Sequence, residues 1–235
     1  MPKNQQTTLQ MALPLTLDDK ASFANFLEGD NREVVQALKA RLSDHNQTIL
    51  YFYGISGAGK SHLMFAMQRL AQQQQADSIY LSLQDPRMTV ELIEMVEANS
   101  IVCIDDVNAW AGDSEKERAL FALFERVKHQ HGQLIISASQ SPDCCGFELT
   151  DLVSRLASGL VYPLHTLNED QQFEAIKLRA NHRGLRISDE VIKYLLSRSS
   201  RDSTQLFDLL DQIDKASLIE KRRITIPFLQ TLLTG

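Results

Sequence analysis

The sequence predicts an α/β protein, a three-layer parallel-sheet domain followed by a small all-helical domain. Three observations carry this expectation. Between residues 49 and 162, short β-prone runs alternate with stretches of helical period, the pattern of a parallel sheet covered on both faces. One of these β-runs passes through a glycine-rich loop directly into a helix. After Pro163 the alternation stops and helical patterns alone continue.

Along the chain, residues 1–22 show no helical period and read as a flexible tail. Gly29-Asp30-Asn31 is a turn and helix start, after which Val34, Val35, Leu38 and Leu42 fall at helical spacing. Ile49 to Tyr53 is β-prone and ends at Gly54, and Lys60 to Gln75 reads as a helix with Leu63, Met67 and Leu70 on one face. Ser78 to Leu83 is the next strand, and Pro86 interrupts the chain before a helix over Val90 to Ala98. Ile101 to Ile104 is the most continuous buried-strand run. The helix over Ser114 to Gln130 follows, with Leu120, Leu123, Phe124 and Val127 as its stripe. Leu134 to Ile136 and Val161-Tyr162 read as strands on either side of a Leu149 to Leu156 helix. Beyond Pro163, helices are expected over Asn168–His182, Ser188–Ser197, Ser203–Leu218 and Thr225–Leu233, with Ser188 and Thr225 as caps. The expected domains are 23–162 and 163–235.

Length, charge and cysteines limit the function classes. The 235 residues are 43% apolar and 23% charged, the proportions of a globular chain able to bury its own core. No apolar run approaches the ~20 residues that cross a bilayer. Met1 to Thr16 is polar with a single lysine, unlike a secretion signal. Cys103 lies in an apolar run, Cys144 and Cys145 are adjacent, and no C-x-x-C spacing suggests zinc or a redox dithiol. The expected compartment is the cytoplasm, with no membrane partner. Net charge is −6, with 13 basic and 20 acidic side chains up to residue 160 and 11 and 10 after it. Neither part is the basic surface that grips duplex DNA strongly.

Gly54-Ile55-Ser56-Gly57-Ala58-Gly59-Lys60-Ser61 is a complete G-x-x-x-x-G-K-S phosphate-binding loop, with a β-run before it and a helix after it. Its glycines let backbone N–H groups curl around a phosphate at a helix N-terminus. Lys60 would reach the β- and γ-phosphates, the Ser61 hydroxyl would ligate Mg²⁺, and His62 continues the same helical turn. Such a loop needs an acid on a neighbouring strand. Asp105-Asp106, closing the Ile101 to Ile104 run, supplies it, with Asp105 for the metal and Asp106 to polarise an attacking water. Hydrolysis by the chain itself is left open.

These elements, with a further strand ending in polar residues and a helical lid, resemble the AAA+ ATPases. Within that family the pattern is most similar to the nucleotide-binding module of the bacterial replication initiator DnaA. The likeness is carried by Phe23-Ala24-Asn25-Phe26 with Gly29-Asp30-Asn31, by Val102-Cys103-Ile104-Asp105-Asp106, by Leu152-Val153-Ser154-Arg155-Leu156 and by Ile224-Thr225-Ile226-Pro227-Phe228. The sequence holds nothing beyond the lid for DnaA's helix-turn-helix domain, which makes it similar over its length to the Hda family of DnaA-homologous regulators. The resemblance implies a bound adenine nucleotide, ADP rather than ATP, with Mg²⁺, and negative regulation of replication initiation by promoting hydrolysis of DnaA-bound ATP. It implies that Arg155 faces a neighbouring subunit's nucleotide as an arginine finger. The alternative for Arg155 is a surface salt bridge from a helix end. It further implies that Gln10-Met11-Ala12-Leu13-Pro14-Leu15 binds the sliding clamp of the replicative polymerase, which would associate the protein with the nucleoid. Pro14 pre-sets an extended backbone, Leu13 and Leu15 can fill an apolar pocket, and Gln10 can hydrogen-bond at its edge. The alternative is a tail strand packing on its own domain.

Three departures from the family pattern bear on hydrolysis. Asp106 is shorter than the Glu more often found there in active motors. The sensor residue after the third sheet strand, acidic in DnaA, is Ser139, with Ser137 near enough to substitute. Thr204 stands where the lid's sensor arginine is expected, leaving Arg201, about one helical turn earlier, as the available cation. Together these favour a fixed diphosphate over self-hydrolysis. A free-standing ATPase of the helicase-loader type is the rival reading, a plain scaffold with vestigial nucleotide a second, and assembly into a homo-oligomer is left open.

Overall fold

The computed structural model describes residues 21–43, 49–98, 100–198, 203–220 and 224–234. The chain divides into two compact units. One takes in residues 30–55 and 59–164, and the other takes in 165–235 with the short segments 24–29 and 56–58.

The first unit is built on five parallel strands, β1 (Ile49–Tyr53), β2 (Ser78–Ser82), β3 (Ile101–Asp105), β4 (Gln133–Ala138) and β5 (Leu160–Pro163), in the order β2-β3-β4-β1-β5. Parallel neighbours need crossovers, and the helices that supply them cover both faces, so β3 and β4 are buried along their whole length. Helix α1 (Arg32–Ala40) precedes β1, and the crossovers are α2 (Lys60–Gln73), α3 (Val90–Glu94), α4 (Ser114–His129) and α5 (Thr150–Ala157). Leu120, Leu123, Phe124 and Val127, the stripe expected on α4, pack with Val102, Ile104, Leu134 and Ile136 of the sheet in one buried cluster. The helix expected over Val90 to Ala98 is shorter, ending at Glu94. Its continuation tightens into a turn in which the Val96 N–H donates to the Ile93 carbonyl and the Ser100 hydroxyl to the Glu97 carbonyl.

Register aligns the strand ends. Tyr53 lies opposite Ala138 and Ser82 opposite Asp105, so the C-terminal ends of β1 to β4 form one edge, where ligands gather in open α/β sheets. The centre of the sheet is anchored by Tyr51, whose buried hydroxyl donates to the Gln140 carbonyl at 2.8 Å and lies 3.1 Å from Cys145 Sγ. Burial, first, and these neighbours hold its phenol well above the ordinary tyrosine range.

The second unit contains α6 (Glu169–His182), α7 (Asp189–Arg198), α8 (Ser203–Glu220) and α9 (Ile226–Thr234). A reciprocal capping box starts α6: the Asn168 side chain accepts from the Gln171 N–H, and the Gln171 side chain accepts from the Asn168 N–H. Ile176, Val191, Ile192, Leu195, Leu206, Ile213 and Leu229 form its core. Arg183, at the end of α6, pairs with Asp211 and Asp214 of α8. Among the described residues no helix is long and apolar enough to cross a membrane.

Gly159 enters β5 against β1, and a Cβ there would stand 2.6 Å from both the Cβ and the carbonyl oxygen of Ile49. Gly159→Ala is expected to destabilise the chain by about 1–3 kcal/mol through overpacking. Urea denaturation beside the wild type measures this.

Candidate functional site

The phosphate-binding loop leaves the sheet where β1 ends. The Gly54 N–H still donates to the Ala138 carbonyl of β4 at 3.1 Å, and the chain then turns through Gly57 (φ 79°) and Gly59 (φ 98°). Both are left-handed conformations that glycine adopts without a Cβ penalty. Gly59 is the N-cap of α2 and carries no side chain to cap it, so the first-turn N–H groups of the helix face the loop, as an anion site requires. The Lys60 ammonium folds back over this loop. It donates to the Gly54 carbonyl at 3.0 Å and the Ile55 carbonyl at 3.4 Å, and lies 4.0 Å from Asp106 Oδ1. Ser61 is exposed in the first helical turn. The His62 ring is engaged elsewhere, its Nε2 lying 3.0 Å from the Ser22 carbonyl oxygen, so what His62 offers the loop is its backbone N–H.

The acid pair sits at the end of β3. Asp105 is 1% exposed, and both of its oxygens are met by hydroxyls from flanking strands. Tyr80 of β2 donates to Oδ2 at 2.9 Å, and Ser137 of β4 donates to Oδ1. Ser137 Oγ in turn accepts the Asp106 N–H at 3.0 Å. Burial, then the Asp105 charge and its hydrogen bond, push the Tyr80 phenol far up, so it stays a donor. Burial likewise raises the neighbouring Cys103 thiol to about 12. Asp106 follows in a left-handed conformation, φ 54° and ψ 49°. Desolvation, and then the Asp105 charge, raise its carboxyl above the ordinary aspartate range, with Lys60 opposing them.

Of the two sensor candidates, the structure brings Ser137 to the acid pair. Ser139 lies beyond the end of β4 with its side chain exposed, and its backbone N–H donates to Asn108 Oδ1 at 2.9 Å. Arg155 stands near the end of α5, with other partners. Its Nε lies 3.0 Å from Glu125 Oε1 of α4, its guanidinium is 5.8 Å from the Phe124 ring centre, and its side chain is 40% exposed. Arg201 and Gln10, Met11, Leu13, Pro14 and Leu15 lie outside the described residues. Sequence reasoning missed Tyr80 and Asn108. Tyr80 shares a strand face with Ser82, which pairs with Asp105, but only knowledge of the strand order would have exposed that signal.

The donor set fits Mg²⁺. Among the described residues no cluster of three or more His, Cys, Asp or Glu could hold a metal by itself. Mg²⁺ keeps several waters and binds through few protein oxygens together with substrate phosphates, which one exposed hydroxyl (Ser61) and one carboxylate with lone pairs to spare (Asp105) can complete.

Comparison with known proteins agrees with this geometry. Residues 17–163 match the bacterial DnaA ATPase domain, and residues 169–233 match the lid domain of Hda. An uncharacterized protein of Haemophilus influenzae is 36% identical over 226 residues, covering 95% of this chain and 98% of that one. Domain III of the Thermotoga maritima replication initiation protein DnaA superposes with a TM-score of 0.78 at 19% identity, over 92% of this chain and 97% of that one. AMPPCP-bound DnaA from Aquifex aeolicus superposes with a TM-score of 0.67 at 24% identity, over 84% of this chain and 66% of that one.

The hydroxyl bridge is directly testable. Ser137→Ala leaves Asp105 Oδ1 and the Asp106 N–H each short of a partner, and is expected to cost about 1–3 kcal/mol in chemical denaturation. Ser139→Ala, at an exposed side chain, is expected to stay within about 0.5 kcal/mol of wild type.

Proposed function

The chain belongs to the bacterial DnaA family of AAA+ proteins, in its Hda-like branch, and from that premise we propose that it is a nucleotide-bound negative regulator of replication initiation. Tethered to the sliding clamp through Gln10 to Leu15, it promotes hydrolysis of ATP held by the initiator DnaA, with Arg155 supplied in trans. Residues 1–22 act as the tether, 23–162 hold the nucleotide and 163–235 form the lid. The protein works in the bacterial cytoplasm and reaches the nucleoid through the clamp.

The observation that carries this reading is the placement of Arg155. Its partners lie on α4, not among the loop and acid residues of its own chain, and one exposed ion pair holds it. Such pairs contribute about 0–1 kcal/mol, so Arg155 is released at little cost to a stronger anion. A guanidinium brought against a transferring phosphoryl group stabilises the charge developing on its oxygens and can be worth about 10³–10⁵ in rate.

The chain's own nucleotide has a holding role. Backbone N–H groups of the loop beyond Gly54, through Ser61 to His62, cradle its phosphates, and Lys60 exchanges the Gly54 and Ile55 carbonyls for phosphate oxygens. The Aquifex relative, described as AMPPCP-bound, supports an adenine nucleotide as the ligand class. Mg²⁺, when bound, neutralises charge between the phosphates, with Ser61 and Asp105 as its protein-side donors. Asp106 is positioned beside Lys60 and is one methylene shorter than the glutamate of active motors, which favours a retained ADP over turnover. Ser137 and Ser139, with Arg201 in the lid, are the candidate nucleotide sensors.

The test is hydrolysis of DnaA-bound ATP with this protein added, with and without DNA-loaded clamp. Wild type should stimulate only with clamp. Arg155→Ala should lower the stimulated rate by about 10³-fold, and deletion of residues 10–15 should remove the clamp dependence together with the stimulation. Lys60→Ala should lose retained nucleotide in a filter assay. Absence of stimulation, with steady ATP consumption by this chain alone, would sink the regulator and leave the helicase-loader type of ATPase.

A further inference from the structure

Glu117 lies in the first turn of α4 and is 1% exposed, and its carboxylate is met by backbone N–H groups of two separate loops. Oε1 accepts from the Gly112 N–H at 2.7 Å and the Glu148 N–H at 3.1 Å. Oε2 accepts from the Glu148 N–H at 3.0 Å and the Leu149 N–H at 2.7 Å. Gly112 closes the turn that follows the acid pair and the short helical segment Val107–Trp110. Leu149 is the N-cap residue of α5, and its side chain provides no cap. One buried carboxylate therefore ties the loop leaving Asp105-Asp106 to the base of the helix that carries Arg155. It also places a negative charge at that helix's positive end.

Two turns further along α4, Glu125 meets the other end of α5 through Arg155. The two anchors are unequal. Glu125 is a half-exposed partner that solvent can replace, whereas Glu117 is enclosed, and removing it would orphan three N–H groups. Of the two polar anchors the Glu117 end is the firmer, and the buried Leu152 and Leu156 pack the helix between them onto the core.

We propose that Glu117 is the positioning residue for Arg155. It fixes the base of α5 so that the guanidinium, six residues beyond Leu149, is presented at a set place and angle. This rests on the reading of Arg155 as a finger supplied in trans. At 1.5 Å per residue Arg155 stands about 9 Å along the helix from Leu149, so a tilt of about 6° at the base moves it by about 1 Å. A displacement of that size in a catalytic group can cost on the order of 10²-fold in rate.

Two substitutions separate positioning from stability. Glu117→Gln keeps the shape but sets an amide donor against N–H groups. Glu117→Asp keeps the charge and acceptors one methylene shorter, which draws α5 from its place. Each full-length variant is assayed for hydrolysis of DnaA-bound ATP with DNA-loaded clamp, alone and combined with Arg155→Ala, beside its folded fraction by circular dichroism and its retention of its own nucleotide. The expected result is a saturating rate lowered at least about tenfold. The half-saturating concentration should stay within about threefold and nucleotide retention should not change. Adding Arg155→Ala should then reduce the rate no further than Arg155→Ala alone. A Glu117→Asp rate within twofold of wild type overturns the proposal. So does a loss that tracks the folded fraction or appears only as weaker half-saturation, and so do losses that multiply in the double variants. If Arg155→Ala itself retains the wild-type rate, the finger reading has failed and Glu117 has nothing to position. If Arg155→Ala loses the rate while the Glu117 variants keep it, the finger reading stands and this proposal alone falls.

Discussion

A carboxylate enclosed at the end of β3 sets the terms for the whole C-terminal edge of the sheet. An enclosed charge persists only where its lone pairs are met. For Asp105 the strand order answers this, because β2 and β4 flank β3 and each contributes one hydroxyl. Tyr80 and Ser137 are thereby committed as donors, and the raised Cys103 thiol keeps a second negative charge from forming beside them. Ser137 passes the constraint on, since the oxygen that donates to Asp105 also takes the Asp106 N–H. Three strands are stitched at one point, and the turn that follows inherits its geometry from that stitch.

The phosphate-binding loop refers to the same strand from the other side. Gly54 is tied to Ala138, the residue after Ser137, so the loop's first residue and the acid pair are both indexed to β4. Lys60 spans the gap, between the loop carbonyls and Asp106. A cation already held near its working place by carbonyl oxygens loses little freedom when phosphate oxygens replace them. The exposed Arg155, on a helix braced by α4, has the opposite character, a charge that solvent and a weak partner leave available.

What the sequence made legible follows from how local each signal is. The loop from Gly54 to Ser61 is contiguous, and its conformation is written in its glycines. Asp105-Asp106 was legible because an apolar strand ran directly into it. Which serine would meet the acid pair was ambiguous because residues 137 and 139 share a strand face in sequence. The structure separates them, since β4 ends at Ala138 and only Ser137 remains under the sheet's cover. Tyr80 read as an apolar strand residue, and its role depends on which strand lies beside it. Glu117 was hidden differently. Following Asp113 and Glu115 at the start of α4, it looks like one more solvated acid at a helix N-terminus. The loop that buries it arrives from 31 residues away. Arg155 is a lone basic residue on a short helix, and only likeness to a family singled it out.

The left-handed backbone at Asp106 has a consequence for how this chain can vary. Few residues with a side chain settle at φ 54°, and aspartate and asparagine do so most readily because their short polar groups bond locally. Aspartate and glutamate codons are a single nucleotide apart, so a longer acid here lies within easy mutational reach. The fold resists it, because glutamate meets the left-handed penalty of about 1–2 kcal/mol more fully than aspartate does. Lengthening this acid is thus a short step in the gene and an uphill one in the protein, and the Ser137 bridge that holds the turn is what keeps the slope in place.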